Sequence, residues 1–241
     1  IPENIANIES GAFSGNQLAS INIPTNLTVL NDYVFAGNKL TSVNIPESVT
    51  EIRNGAFSSN QLTSVDLPEN IKVLNEYVFA DNKLVSVYIS DQVTDIMAYA
   101  FKDNQLATID IPDSVTNIGI EAFRNNQLTS VNIPENIKVL NESVFADNKL
   151  VSVIIPDSVT DIEAGAFRNN QLTTVNIPVG IEIIKNSVFA NNQLSSIDIP
   201  GSVNSIDLSA FANNQLSSVD IPDSVNSIGY NAFANNRLSS I

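Results

Sequence analysis

Ala122–Pro134 reads AFRNNQLTSVNIP, and the fold turns on how this stretch is read. Taken alone it is an ordinary mixture of apolar and polar residues. Its Phe123 has counterparts at Phe13, Phe35, Phe57, Phe79, Phe101, Phe145, Phe167, Phe189, Phe211 and Phe233. These are all eleven phenylalanines of the chain, each 22 residues after the last. A fixed period of this length marks a stacked-repeat architecture. The following Asn126 recurs without a gap from Asn16 to Asn236, and Leu128 from Leu18 to Leu238. All ten prolines fall in one further column, in which Ser90 is the missing member. No unit gains or loses a residue, so residues 1–241 read as a single array of eleven repeats.

Within one unit, Leu128, Val131 and Ile133 have the spacing L-x-x-V-x-I. The last two alternate, which puts both side chains on one face of a strand. Pro134, Glu135 and Asn136 close it, because proline pre-sets φ for a turn and Asn bonds nearby backbone. Ile137, Leu140, Val144 and Phe145 follow at spacings too short for a three-turn helix. They predict a second short strand or 3₁₀ turn on the opposite side. One unit cannot offset its own ordering entropy of about 1–2 kcal/mol per residue. Its apolar positions contribute roughly 1.5–3 kcal/mol each when buried, so neighbouring units must complete the burial. In such a stack the Phe column, Phe79, Phe101, Phe123 and Phe145 among them, becomes an aromatic spine. The Asn column, with Asn82, Asn104, Asn126 and Asn148, becomes a ladder bonding loop backbone between coils. The predicted fold is a right-handed, mostly β solenoid with a parallel sheet on its concave face, short strands or turns on its convex face, and little or no α-helix. A longer period is also present: ENIKVLNEYVFADNKLVSV at Glu69–Val87 recurs as ENIKVLNESVFADNKLVSV at Glu135–Val153, three units later.

The run Ala-Phe-x-x-Asn-x-Leu-x-Ser-Val-x-Ile-Pro resembles the BspA-like class of bacterial leucine-rich repeats, and the resemblance covers the entire chain. That class often has cysteine at the Asn column and a unit one residue longer. The resemblance implies an exported, non-enzymatic protein of a bacterial surface, similar to adhesins that bind host or matrix proteins. It fixes no binding residues.

Composition sets limits on function. The net charge is −15 with 11 Lys and Arg, so nucleic acid and anionic membrane are repelled. No apolar run is long enough to span a bilayer. Cysteine is absent, so there is no disulfide framework. With histidine absent as well, the common nucleophile–base pairs are missing. Ser and Asp occur in scaffold columns, the unbroken spacing leaves no inserted loop to build a catalytic site, and no cofactor is implied. Acids after the proline (Glu3, Glu47, Glu69, Asp91, Asp113, Glu135, Asp157 and Asp223) would form a ladder at the strand spacing of about 4.8 Å. Calcium binding is one reading of that ladder. Pro-Asp-Ser turn chemistry is the favoured one. Lys102, Arg124 and Arg168, each directly after a Phe, read as solvated turn charges.

The exposed strand positions form the predicted ligand surface. One column is Ser or Thr throughout, from Ser20 to Ser240. A second is mostly Asn or Asp, including Asp66 and Asp110, and is interrupted by Tyr88 and Ile154, with Val85 and Val151 beside them. Aromatic and apolar anchors on a polar face are where binding energy concentrates; drift on an exposed face after duplication is the competing reading. The expected partner is a protein or glycan. The absence of visible caps, one residue short of eleven whole units, also raises end-to-end self-association into a fibre, a stalk role, or membership of a longer array.

Overall fold

The computed structural model describes residues 1–241 as a parallel β-solenoid without α-helix. The chain forms two compact units, Ile1–Gln127 and Leu128–Ile241. Unit 1 carries β1 (Val29–Leu30), β2 (Glu51–Ile52), β3 (Val73–Leu74), β4 (Asp95–Ile96) and β5 (Asn117–Ile118). Each strand pairs in parallel with its counterpart one repeat away, in the sheets β1-β2 and β3-β4-β5. Unit 2 carries β6 (Val139–Leu140), β7 (Ser152–Val153), β8 (Asp161–Ile162), β9 (Thr174–Val175), β10 (Ile183–Ile184), β11 (Ser205–Ile206) and β12 (Ser227–Ile228). Its sheets are β6-β8, β7-β9 and β10-β11-β12, all parallel.

Regular pairing concentrates on the second strand of the repeat. On the Leu-x-x-Val-x-Ile side only β7 and β9 form a strand pair, and elsewhere the chain makes single parallel bridges such as Asn22 to Asn44 to Asp66. The proline that ends this segment has no N–H and cannot extend a ladder.

Every coil turns inward at the same places. In the coil from Leu62, the side chains of Leu62, Val65, Ile71, Leu74, Val78 and Phe79 are buried. The phenylalanines stack ring on ring: successive centroids from Phe13 to Phe123 lie 5.6–5.9 Å apart in unit 1. From Phe145 to Phe233 in unit 2 they lie 5.3–5.9 Å apart. The asparagines between the two end coils are buried beside them. Asn82 donates from Nδ2 to the Phe57, Phe79 and Ala80 carbonyls at 2.9, 3.1 and 3.1 Å, and its Oδ1 accepts the Leu62 N–H at 3.0 Å. One side chain thus bonds its own turn and the preceding coil at once.

The segment around each phenylalanine is an arch of two overlapping turns. Val78 N–H and Ala80 N–H close back on the Asn75 and Tyr77 carbonyls. The intervening Tyr77, Phe79 and Asp81 N–H groups donate to the next coil, at Ala98, Ala100 and Lys102. This alternation requires a left-handed residue two before and two after each phenylalanine, and all eleven repeats have both: in the first coil Gly11 (φ 68°) and Gly15 (φ 66°), in the fourth Tyr77 (φ 56°) and Asp81 (φ 55°). On the flanks the donors point the other way. Lys83, Thr94 and Met97 N–H groups donate back to Leu62, Lys72 and Leu74 of the preceding coil. Unit 2 repeats the pattern, with Ser187, Phe189 and Asn191 donating forward and Gln193, Asn204 and Asp207 donating back.

Candidate functional site

The strand face is built by residues that alternate with the buried Leu, Val and Ile positions. Its polar columns face solvent because the inward places are taken by the core. In unit 1, Asp66, Tyr88 and Asp110 occupy one column on three successive coils, all exposed, with Tyr88 at 65%. Val85, on the Tyr88 coil, is half exposed. Its N–H bonds the Thr63 carbonyl at 3.1 Å, which holds the coils in register. Tyr88 therefore stands one coil from Asp66 on one side and one coil from Asp110 on the other.

In unit 2, Ile154 is 80% exposed directly after β7, and Val151 is exposed directly before it. An open groove of about 650 Å³ runs here between Ser152–Ile154 and Thr174–Ile177, with Asp198 at its side. Asn176 of the same column points at backbone: its Oδ1 accepts the Ile155 N–H at 2.9 Å and its Nδ2 donates to the Ile155 carbonyl at 2.8 Å. It extends the β7-β9 pairing by one residue and stiffens the segment that carries Ile154.

The proline-turn acids show turn chemistry. Ser48, Ser114, Ser202 and Ser224 each donate to a carbonyl of the preceding coil at 2.7 Å. Glu3 accepts from the Thr25 N–H at 3.0 Å. No three acidic side chains converge in the manner of a metal site.

Several features of the arch side had no sequence signal. Lys102 and Arg124, read as solvated charges, both reach Glu121, at 2.8 and 3.1 Å. The Lys102 ammonium also lies 5.4 Å from the centre of the Tyr99 ring, and side-chain bonding to Glu121 holds its pKa up against burial. Arg168, two repeats further on, has Gly165 where Arg124 has Glu121, and its Nε has no hydrogen-bond partner. Burial, then the neighbouring Asp103 carboxylate, push the Asp81 carboxyl up. Burial beside Tyr99 pushes the Tyr77 phenol up. In unit 2 the corresponding outer positions carry an amide tape: Asn169 bonds Asp147, Asn191 bonds Asn169, Asn213 bonds Asn191 and Asn235 bonds Asn213, at 2.6–2.7 Å. On the short-strand side, burial opposes the charge of Lys185, but Asp161 and Glu163 at 2.8 and 2.7 Å outweigh it and raise its pKa.

Comparison with known protein families matches the BspA type leucine rich repeat region to residues 1–107 and 116–240, in six copies. No curated protein matches the chain. Among solved structures, a leucine-rich repeat protein from Bacteroides ovatus superposes with a TM-score of 0.77 at 24% identity, over 98% of this chain and 69% of that one. A leucine rich cell surface protein from Faecalibacterium prausnitzii superposes with a TM-score of 0.62 at 26% identity, over 98% of this chain and 82% of that one. The pneumococcal vaccine antigen PcpA superposes with a TM-score of 0.71 at 22% identity, over 95% of this chain and 66% of that one. The structures share its fold.

Proposed function

The chain belongs to the BspA-type leucine-rich-repeat family, and from that premise we propose that it is a non-enzymatic recognition module of a bacterial surface, binding a protein or glycan through its strand face. The observation that carries this reading is the exposure of large apolar side chains, Tyr88 at 65% and Ile154 at 80%, with Val85 and Val151 beside them, on a face lined mostly by Ser, Thr, Asn and Asp. Aromatic and apolar anchors within a polar rim have the anatomy of binding hot spots. We read residues 1–241 as one array, since the 22-residue period passes through Gln127 and Leu128 without interruption. Surface exposure is supported by similarity to a protein described as a leucine rich cell surface protein.

The test is a binding screen of the purified chain against extracellular proteins and glycans, followed by Tyr88→Ser with Ile154→Asn. Affinity for the ligand found is expected to fall at least about tenfold, equivalent to about 1.4 kcal/mol. Unchanged affinity would remove the strand face from consideration. Antibody labelling of intact cells checks the location, and labelling only after lysis would count against it.

A further inference from the structure

On the short-strand side, the step from one coil to the next comes in two kinds. In the paired kind, backbone closes the gap: the Thr94 and Met97 N–H groups donate to the Lys72 and Leu74 carbonyls at 2.9 and 2.8 Å, and β3 lies against β4. In the other kind no backbone bond crosses. Between β2 and β3, the N–H groups of Lys72, Val73 and Asn75 find no carbonyl on the preceding coil. The same holds between β8 and β10 for Glu182, Ile183 and Lys185, and ahead of β1 for Thr28, Val29 and Asn31. A groove of about 520 Å³ opens at the β2–β3 seam, beside Thr50 and Lys72. Another of about 440 Å³ opens at the β8–β10 seam, beside the equivalent Thr160 and Glu182, five repeats further on.

The sequence marks the two kinds of step. Within the two units, phenylalanine follows valine in the three coils that open a seam, at Val34, Val78 and Val188. It follows alanine in the six coils that pair with the one before them, at Ala56, Ala100, Ala122, Ala166, Ala210 and Ala232. Three residues before each of these valines stands a side chain that bridges the gap. Asn31 and Asn75 donate from Nδ2 to the Ile8 and Ile52 carbonyls, both at 2.7 Å. In a paired step a backbone N–H takes that acceptor, as Met97 takes Leu74. In unit 2 the position is Lys185, which reaches Asp161 and Glu163 on the preceding coil at 2.8 and 2.7 Å. A side chain extends further than a main-chain N–H, so it spans a gap that the backbone leaves open.

The other sides of each seam stay bonded. Across the β2–β3 step, the Gly55, Phe57 and Ser59 N–H groups donate to Glu76, Val78 and Ala80 on the arch, and Gln61 N–H donates to Leu40 beside the strand face. Across the β8–β10 step, Phe167 N–H donates to Val188, and β7 pairs with β9. Rotation about that bonded edge opens the short-strand side by releasing one strap and no backbone hydrogen bond. A paired step would lose its ladder. We propose that each coil with valine before its phenylalanine is a hinge, held by a neutral amide strap in unit 1 and by an ionic strap in unit 2 that salt releases. The Lys185, Asp161 and Glu163 side chains are 26%, 40% and 35% exposed, open enough for salt to screen them. The hinge changes the angle between coils at the strand face without parting them, whatever that face binds.

The chain has no cysteine, so spin labels on two introduced cysteines report on single steps. In unit 1, Thr50→Cys with Thr94→Cys spans the seam, and Lys72→Cys with Thr116→Cys spans two paired steps; all four positions are exposed. In unit 2 the corresponding pairs are Thr160→Cys with Asn204→Cys and Glu182→Cys with Asn226→Cys. At strand spacing each pair stands about 10 Å apart, and dipolar broadening of the electron paramagnetic resonance spectrum reads the spread of that distance. In each unit the seam pair is expected to show the wider spread. Raising sodium chloride from about 0.01 M to about 0.5 M should widen the unit 2 seam pair alone, and Lys185→Met should leave it wide at both concentrations. A seam pair as narrow as its control in either unit would overturn the hinge. A salt response that is shared by the unit 1 seam, absent from the unit 2 seam or retained in Lys185→Met would overturn the ionic strap.

Discussion

The buried asparagine is the residue on which each coil depends. Asn104 donates to the Phe79, Phe101 and Lys102 carbonyls and accepts from the Leu84 N–H. Alanine at this site strands a buried N–H and several carbonyls, each costing about 1–3 kcal/mol. Asn104→Ala is therefore expected to lower unfolding free energy by about 3 kcal/mol in urea titration, and a loss below about 1 kcal/mol would show that water replaces the amide. Asp81 behaves in the opposite sense. Burial and Asp103 raise its folded pKa, so the folded chain holds the proton more tightly than the unfolded chain. The stabilisation this provides is present at acidic pH and is lost as pH rises through the folded value. Asp81→Asn, which mimics the amide tape of Asn169 and Asn191, should raise the melting temperature at neutral pH and flatten its dependence on acid. An equal or lower melting temperature at pH 7 would contradict this.

The arch is the element that sets the backbone rules of the repeat. Ser209 occupies it at φ 55°, so Ser209→Gly should gain up to about 1 kcal/mol by relieving the left-handed strain. Gly119 is required for a different reason: an added Cβ would stand 2.3 Å from the Ala98 nitrogen, against backbone that cannot move aside. Gly119→Ala should lower the denaturation midpoint, and the opposite order of the two variants would refute this account of the arch. These elements also mark what was legible in the sequence. The Phe and Asn columns were visible because one residue type fills each of them in all eleven repeats, the ring stacking on its neighbours and the amide donating and accepting at once. The left-handed column before each phenylalanine was hidden because Gly, Tyr, Glu, Ser and Asn all stand in it. Spacing alone did not reveal that Lys102 and Arg124 meet on Glu121, since the Lys102 side chain crosses between coils to reach a pair formed within the Arg124 turn. The weak pairing on the proline side follows from a missing N–H, an effect that hydrophobic patterning does not report. Among the exposed residues, the Asp66, Tyr88 and Asp110 column was readable by spacing, whereas the stacking of Tyr77 on Tyr99 was not.

At the scale of the whole chain, 26 acidic side chains face 11 basic ones, and the few ion pairs cover only part of the excess. Like charges repel across coils in low salt, where screening extends to about 30 Å at 0.01 M. Raising sodium chloride from about 0.01 M to about 0.5 M should therefore raise the melting temperature. A fall would indicate that the ion pairs around Glu121 and Lys185 outweigh the net repulsion. The opposed directions of the backbone donors have a different consequence. An α-helix adds its peptide dipoles end to end and so grows more polarised along its axis. Here arch donors such as Phe79 N–H face the next coil, and flank donors such as Met97 N–H face the previous one, so the dipoles largely cancel within every repeat. Copying a block such as Glu69–Val87 into Glu135–Val153 then builds up no axial field. Array length is then free to change by whole repeats without a growing axial field to oppose it.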